Sequence, residues 1–441
     1  MKAVIVAGGK GTRMGALSQT TPKALLKVAG KPLLEYQLRL LKSYGFKQIL
    51  ILTSHLGEKI KEYCGNGSRF GLSIRCLEEN EVLGTAGAVK AAEKYLTSDF
   101  LVVYGDEMMN VNFARMLAFH RQQKNKHPSL AGTLAVHPNN HPFDSNLVEV
   151  GEDSLIQAFL TKPHPPDLFF RNLVSTPIYI FTPKIFGFIP KNIPADFARQ
   201  VFPKVLQKQK NSLAAYSTPE YIKDIGTPQR LKEVTADIKS GKFVQGSLDF
   251  KRPAIFLDRD GVINKDMGAT GFHIKNFKFI PGSAEAVKRI NSSQFYSVII
   301  SNQSAIAKGF CSFKDVLHVH KKMETLLALV GAKLDGIYFC PHHPDKGFPG
   351  ENRKYKIVCH CRKPKLGMIK DAVRDLNIDL KNSYFIGDSN RDAQTAKNAG
   401  IKFVGVKTGY GCKDVDFKKL NKSIKAVLKK DLSAAARWII P

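Results

Sequence analysis

Two runs constrain this chain more than any other feature: KAVIVAGG at Lys2 to Gly9 and AIFLDRDG at Ala254 to Gly261. Each is a near-continuous apolar run that stops at a glycine or polar loop, which is how a strand covered on both faces reads. Such a strand needs helices above and below it, so each run opens a domain. The length of 441 residues agrees, since domains run to about 100–200 residues. With 43% apolar residues there is enough material to bury real cores, which excludes a disordered tail protein.

Between the two runs, Leu231 to Lys242 reads as a helix and GKFVQGSLDFKRP as a joint whose Gly, Ser and Pro break any period, placing a boundary near Ser247. The expected domains are residues 1–240 and 250–441. In the first, QILILTS follows LLEYQLRLLKSYG and DFLVVYGD follows GTAGAVKAAEKYL; in the second, YSVIISNQS, GIYFCPHH, SYFIGDS and KFVGVKT are strand-to-loop transitions. Strands alternating with amphipathic helices predict an α/β chain of two doubly wound domains on mostly parallel sheets. Ligands in such sheets bind beyond the carboxyl ends of the strands. Phe417, Leu420, Ile424, Val427 and Leu428 space like one face of a helix over residues 417–428.

Lys plus Arg number 67 against 38 Asp plus Glu, a net charge of +29. That excess is compatible with nucleic acid, an anionic membrane surface, small acidic substrates or simply a solvated surface. The basic residues form no single stripe, so no nucleic-acid partner is expected. No apolar run reaches the roughly 18 residues of a membrane span. Seven cysteines are too sparse for a disulfide scaffold, so the cytoplasm is the expected compartment.

After the first strand, AGGKGTRM offers Gly8, Gly9 and Gly11, which let backbone N–H groups approach a phosphate, and Arg13, a forked cation. TPKALL supplies Lys23, EVLGTAGAV a second small-residue loop with Gly84 and Thr85, VVYGD ends a strand on Asp106, and YIKDIGTP places Asp224 in a loop before a helix. In that order these motifs resemble the sugar-1-phosphate nucleotidyltransferases over about residues 1–235, with an N-terminal Rossmann-like fold. The resemblance implies that a sugar 1-phosphate oxygen attacks the α-phosphorus of a nucleoside triphosphate and pyrophosphate leaves, a reaction served by alignment and charge neutralisation. It further implies that Arg13 and Lys23 face the triphosphate, that Asp106 and Asp224 hold Mg²⁺, and that Lys162 of AFLTKP meets the sugar phosphate. Two departures stand out: Ser175-Thr176-Pro177 replaces the family's Asn-Ala-Gly run, and no hexapeptide repeat of a β-helix extension follows Asp224.

In the second segment IFLDRDGVIN ends a strand on Asp258 with Asp260 two residues on, a spacing at which one carboxylate attacks and the other exchanges a proton. VIISNQS ends on Ser301 and Asn302, CRKP carries Arg362 and Lys363, and FIGDSNRD ends on Asp388 with Asp392 behind it. Together they resemble the haloacid dehalogenase phosphatases, in the branch holding the heptose bisphosphate and histidinol-phosphate phosphatases, over about residues 250–412. That likeness implies Asp258 as nucleophile, Asp260 as acid and base, Ser301, Asn302, Arg362 and Lys363 around the phosphoryl group, and Mg²⁺ on Asp258, the carbonyl of Asp260 and Asp388. The branch is marked by CPHH followed by CHCRKP, in which Cys340, His342, Cys359 and Cys361 suit a structural, four-coordinate Zn²⁺ that folds the loop carrying Arg362 and Lys363. His343 and His360 are alternative ligands. Ser389 stands where heptose phosphatases commonly carry a lysine.

Taken together, the two resemblances imply a bifunctional enzyme that dephosphorylates D-glycero-D-manno-heptose 1,7-bisphosphate at C7 and joins the heptose 1-phosphate to GMP from GTP, as in making activated heptose for bacterial surface polysaccharides. GTP over ATP rests on fold analogy. The alternatives are a mannose or glucose 1-phosphate nucleotidyltransferase fused to a phosphatase for another sugar phosphate or histidinol phosphate, and, of another class, a nucleic-acid-end phosphatase or a non-catalytic binding protein.

Overall fold

The structure, a computed structural model, describes every residue except Lys10, Asn80, Glu152, 269–271 and Lys346. It divides into two compact units, one of Met1–His137, Asp144–His164 and Leu173–Phe250, the other of Pro138–Phe143, Pro165–Asn172 and Lys251–Pro441.

In chain order the first unit carries β1 (Lys2–Val6), β2 (Lys27–Val28), β3 (Lys31–Pro32), β4 (Gln48–Thr53), β5 (Ser73–Glu78), β6 (Phe100–Tyr104) and β7 (Glu107–Asn110). Then follow β8 (Gly132–His137), β9 (Leu147–Val150), β10 (Ile156–Leu160), β11 (Val174–Phe181), β12 (Leu213–Ser217) and β13 (Tyr221–Asp224). The main sheet runs β10-β9-β11-β6-β1-β4-β5, with β8 on β11 and β12 on β8, while β7 and β13 form a separate ribbon. Strand β1 is buried as its run predicts: Val4 enters the core on one face of the sheet and Ala3 and Ile5 the core on the other. Helix Leu33–Ser43 covers the second face with Leu34, Leu38 and Leu41.

This sheet is less parallel than expected. Strands β5, β4, β1 and β6 run parallel, but β11 is antiparallel to β6, β8 and β9, and β10 to β9. Between β9 and β10 the physical reason is connection length, because residues 151–155 are too few for the crossover that parallel neighbours need.

The second unit carries β14 (Ala254–Leu257), β15 (Tyr296–Asn302), β16 (Gly336–Cys340), β17 (Tyr384–Gly387), β18 (Lys402–Val406) and β19 (Ala426–Lys429) in one wholly parallel sheet, ordered β16-β15-β14-β17-β18-β19. Ile255 and Leu257 of β14 face one core, Ala254 and Phe256 the other. The chain order reverses direction across the sheet at β14, as it does at β1 in the first unit. Such a reversal opens the crevice in which open α/β sheets bind ligands.

Two local expectations need correcting. The 417–428 stretch is not one helix: Phe417–Asn421 is helical and Ala426–Lys429 is edge strand β19. Asn421 ends the helix, its amide donating to Ala426 O at 3.0 Å while its Oδ1 accepts Ala426 N–H at 2.8 Å. The expected 231–242 helix is Pro228–Lys239, begun earlier by a Thr227 side-chain cap and a proline in its first turn, and a one-turn helix, Lys242–Gln245, lies in the joint. Buried Glu220 ties the joint down by accepting from Leu248 N–H and Asn112 N–H, both at 2.8 Å. Among the described residues no helix is long and apolar enough to cross a membrane.

Candidate active sites

The first candidate site sits at the carboxyl ends of β1, β5 and β6 and the tip of the β7–β13 ribbon. Gly11 lies at φ +69, and a Cβ there would stand 3.2 Å from the Lys23 side chain, so the glycine loop wraps the lysine. Lys23 Nζ reaches Asp106 Oδ2 at 2.9 Å. The ribbon sets Asp224 opposite Glu107, and Ile225 N–H donates to Asp106 O at 2.9 Å, so the two aspartates expected to hold metal are brought to one end of it. Arg13 lies beside Asp224: a Cβ on Gly226 would meet Asp224 Oδ1 at 2.7 Å and Arg13 Nη2 at 2.9 Å. Burial works to raise the Asp224 carboxyl, but Arg230 and the Gly226 N–H at 2.7 Å outweigh it and hold it below the usual carboxylate range.

Arg230 and Asp144 were not singled out from the sequence. Lys162 Nζ donates to Asp144 O, and the Asp144 carboxylate lies 3.8 Å from Arg230, which itself pairs with Asp224, so Lys162 connects to the aspartates through these two residues. One sequence signal existed: Arg230 lies in the first turn of its helix, where a cation opposes the dipole unless an anion faces it. The Thr85 hydroxyl donates to Asp196 Oδ2 at 2.9 Å, and Gly84, at φ +69, packs on the Ala195 backbone.

The second site lies at the carboxyl ends of β14, β15 and β17. Lys363 is buried, its Nζ 2.8 Å from Asp258 Oδ2 and 2.6 Å from Asp392 Oδ1. Carboxylate oxygens of Asp258, Asp388 and Asp392 lie within 4.8 Å of one another, a set of hard oxygen donors. Burial, then the neighbouring carboxylates, pushes Asp258 up to about 7 against the pull of Lys363, and burial pushes Asp388 to about 7. Gly261, at φ +81, is required here, because a Cβ would fall 2.0 Å from Asp388 Oδ2.

Asp260 faces another way. Burial works to raise it, yet Arg259 at 2.8 and 2.9 Å, Asn264 at 2.9 Å and Gln303 at 2.8 Å hold it below the usual range, hence ionised. Gln303 also donates to Ser301 Oγ at 2.8 Å, which leaves the Ser301 hydroxyl proton for an anion. Asn302 fixes the backbone of Lys363, accepting its N–H at 3.0 Å and donating to its carbonyl at 3.2 Å.

The four expected zinc ligands converge. Cys340, Cys359 and Cys361 sulfurs lie 3.2–3.6 Å apart, and His342 Nδ1 is 3.3 Å from Cys361 Sγ. Three thiols and one imidazole at such separations are a donor set that would suit a four-coordinate Zn²⁺ with no open position. His343 and His360 are not part of the cluster. Arg362 leaves it directly, its N–H on Cys359 Sγ at 3.4 Å and its guanidinium on His342 O at 3.3 Å.

The nucleotidyl transferase family model matches residues 2–241, and the HAD-hydrolase-like model residues 360–430. Over 159 residues the chain is 44% identical to the D-glycero-beta-D-manno-heptose-1,7-bisphosphate 7-phosphatase of Yersinia pestis, covering 36% of this chain and 81% of that one. Over 191 residues it is 37% identical to the D-glycero-D-manno-heptose-1,7-bisphosphate 7-phosphatase of Thermosynechococcus vestitus, covering 43% of this chain and 95% of the relative. Among solved structures, HddC from Yersinia pseudotuberculosis is 23% identical, with a TM-score of 0.45, covering 54% of this chain and 99% of that one. The chain belongs to the nucleotidyl transferase family through residues 2–241 and, through its likeness to the Yersinia pestis protein, to the family of the heptose-bisphosphate phosphatases.

Proposed function

We propose that this chain makes a nucleotide-activated heptose in two steps, with residues 1–240 as transferase and 250–441 as phosphatase. The phosphatase removes the 7-phosphate of D-glycero-D-manno-heptose 1,7-bisphosphate, and the transferase joins the remaining anomeric phosphate to GMP from GTP. One observation carries the reading: a 44% likeness to a heptose-bisphosphate phosphatase occurs in a chain that also holds a nucleotidyl transferase domain. A distal phosphate has to be removed while the anomeric one is kept for the nucleotide.

In the first step Asp260 takes up a proton from solvent as the phosphoryl anion binds, an Asp258 oxygen attacks the phosphorus, and the phosphorus–oxygen bond to C7 breaks as Asp260 protonates the leaving oxygen; water then attacks the aspartyl phosphate, gives a proton to Asp260 and frees the Asp258 carboxylate and inorganic phosphate. Asp260 is ionised before substrate arrives, and a phosphoryl anion beside it raises its proton affinity by like-charge repulsion. Lys363, Ser301 and Arg362 offset the charge of the transferring group. Asp258, Asp388, Asp392 and the carbonyl of Asp260 would hold Mg²⁺, which neutralises phosphoryl charge when bound. Cys340, His342, Cys359 and Cys361 would hold Zn²⁺ as a brace for the Arg362–Lys363 loop.

In the second step an oxygen of the anomeric phosphate attacks the α-phosphorus and the bond to pyrophosphate breaks. Arg13 and Lys23 neutralise the triphosphate, Lys162 holds the sugar phosphate, and Asp106 and Asp224 would hold Mg²⁺. A reducing, cytoplasmic setting suits the seven free cysteines. Incubating the purified chain with heptose 1,7-bisphosphate and each triphosphate tests the whole reading. GDP-heptose, inorganic phosphate and pyrophosphate are expected in equal amounts; phosphate release with no sugar nucleotide under any triphosphate would refute the coupled pathway.

A further inference from the structure

Arg259 stands between Asp258 and Asp260 in sequence, and no step of the proposed reaction uses it. It is 2% exposed, so a full charge is taken out of water and needs partners. All three guanidinium nitrogens have one. Nε lies 3.2 Å from Asp260 Oδ1, and Nη2 lies 2.9 Å from Oδ1 and 2.8 Å from Oδ2, a grip on both carboxylate oxygens. Nη2 also donates to Gln303 Oε1 at 3.1 Å, and Nη1 to His320 Nε2 at 3.3 Å.

These contacts orient more than Asp260. A guanidinium only donates, so the Gln303 carbonyl faces it and the Gln303 amide turns the other way. That amide donates to Asp260 Oδ2 and to Ser301 Oγ, each at 2.8 Å. Ser301, having accepted, keeps its proton for the phosphoryl group. His320 obeys the same rule: facing a pure donor, it accepts through Nε2 and carries its proton on Nδ1, so the ring is neutral. It is fully buried on helix Phe313–Leu329 and packs against Phe339 of β16 with ring centroids 5.2 Å apart, which makes it a fixed anchor for Arg259.

We propose that Arg259, anchored by His320, is the positioning residue of the phosphatase reaction: it fixes the direction of the Asp260 carboxyl and, through Gln303, the direction of the Ser301 hydroxyl. The inference rests on the phosphatase reading above. Arg259 exchanges no proton and forms no bond to phosphorus. The Asp258–phosphorus bond forms and the phosphorus–oxygen bond to C7 breaks as already described, and Arg259 sets how well Asp260 meets the leaving oxygen with its proton.

The leaving group's need for that proton separates positioning from a structural role. A sugar alkoxide leaves poorly without a proton, whereas p-nitrophenolate and acetate leave as stable anions. Release of the leaving group is measured in a single turnover, with Mg²⁺ in excess, from heptose 1,7-bisphosphate and from p-nitrophenyl and acetyl phosphate. The full chain is compared with Arg259→Gln, Arg259→Lys and His320→Phe. Arg259→Gln is expected to slow release from the bisphosphate about 10²–10³-fold and from the activated phosphates about 10-fold or less, because only the bisphosphate loses the general acid's share. Arg259→Lys restores the charge but not the fork, so the same pattern at smaller size is expected. His320→Phe keeps the ring's volume and removes the acceptor, and is expected to repeat the pattern at about 10-fold, the worth of one hydrogen bond to a charged group. Equal slowing of all substrates in folded variants, or slowing of none, overturns the assignment while leaving the phosphatase standing; if Arg259→Gln does not fold, Arg259→Lys and His320→Phe decide. Failure of the wild type to act on any of these phosphates overturns the phosphatase reading and the assignment with it.

Discussion

The two sites use the same pairing, a lysine against aspartates at the ends of parallel strands, in opposite environments. In the phosphatase site Lys363 is 2% exposed and lies between Asp258 and Asp392, themselves 14% and 0% exposed. In the transferase site Lys23 and Asp106 are 14% and 29% exposed, and among the described residues Lys23 makes one ion pair. A buried lysine held by two anions is preorganised, and its charge is barely screened. A partly exposed pair is weaker until a ligand excludes water from it. The phosphatase lysine is therefore held by the protein alone, whereas the transferase pair is expected to strengthen when a triphosphate excludes water from it.

The largest expected effect tests whether the two sites are independent at all. Asp258→Asn removes the nucleophile and is expected to lower phosphate release more than about 10⁴-fold, the scale seen when a nucleophile is deleted, with pyrophosphate release from GTP and heptose 1-phosphate unchanged. Loss of both activities in a folded variant would contradict separate sites. Next comes Lys23→Met, expected to lower kcat of transfer about 10²–10³-fold while phosphatase turnover stays as it was. If Lys23 is drawn into place by the triphosphate, KM for GTP rises as well; a pure kcat loss would mean that the site is already formed.

A third test separates the rigidity of the phosphatase loop from its chemistry. Stripping metal bound by Cys340, His342, Cys359 and Cys361 with a thiol-directed chelator, with Mg²⁺ kept in excess, is expected to lower phosphatase turnover about 10–100-fold, as losses in supporting shells do. Transfer serves as the internal control. Elemental analysis that finds no zinc in the purified chain, or full phosphatase activity after chelation, would remove the brace from the account.

What the sequence could disclose follows the same division. Strands such as β1 and β14, buried on both faces, write themselves as apolar runs, and chemistry collects where they stop, so Asp106, Asp258, Ser301 and Asp388 were all visible as strand ends. The antiparallel half of the first sheet was not, because β9 and β10 are short and partly exposed and carry no such run. Over 417–428 the apolar spacing matched a helix although the segment splits into a helix and an edge strand, since Asn421 makes its decisive hydrogen bonds to Ala426 through space and not through periodicity. The sequence offered Thr85 as part of a small-residue loop but held no record of Asp196, which lies 111 residues further along the chain and takes its hydroxyl. Arg230 was likewise set by a tertiary partner, Asp224 of another element, while Asp392 was visible behind Asp388 but not its pairing with Lys363.

The smallest expected effect concerns stability in the first unit. Burial raises Glu220 from an ordinary 4.5 to about 7, although its Oε1 accepts Leu248 N–H and Asn112 N–H and its Oε2 accepts the Thr218 hydroxyl. The folded state thus binds a proton more tightly than the unfolded chain between these two values. Where the native state holds more protons, stability falls as pH rises, so the group's contribution is fully present below pH 4.5 and is lost as pH passes through 7. At 1.36 kcal/mol per unit, the loss is up to about 3 kcal/mol. Glu220→Gln keeps the geometry, since an amide oxygen can accept both N–H groups while its NH₂ donates to Thr218, and it does not titrate. Chemical unfolding at pH 5 and pH 8 is therefore expected to show the variant gaining on the wild type as pH rises. A difference between the two proteins that is constant across that range would mean that Glu220 is ionised throughout, held so by the backbone N–H groups that clamp the joint.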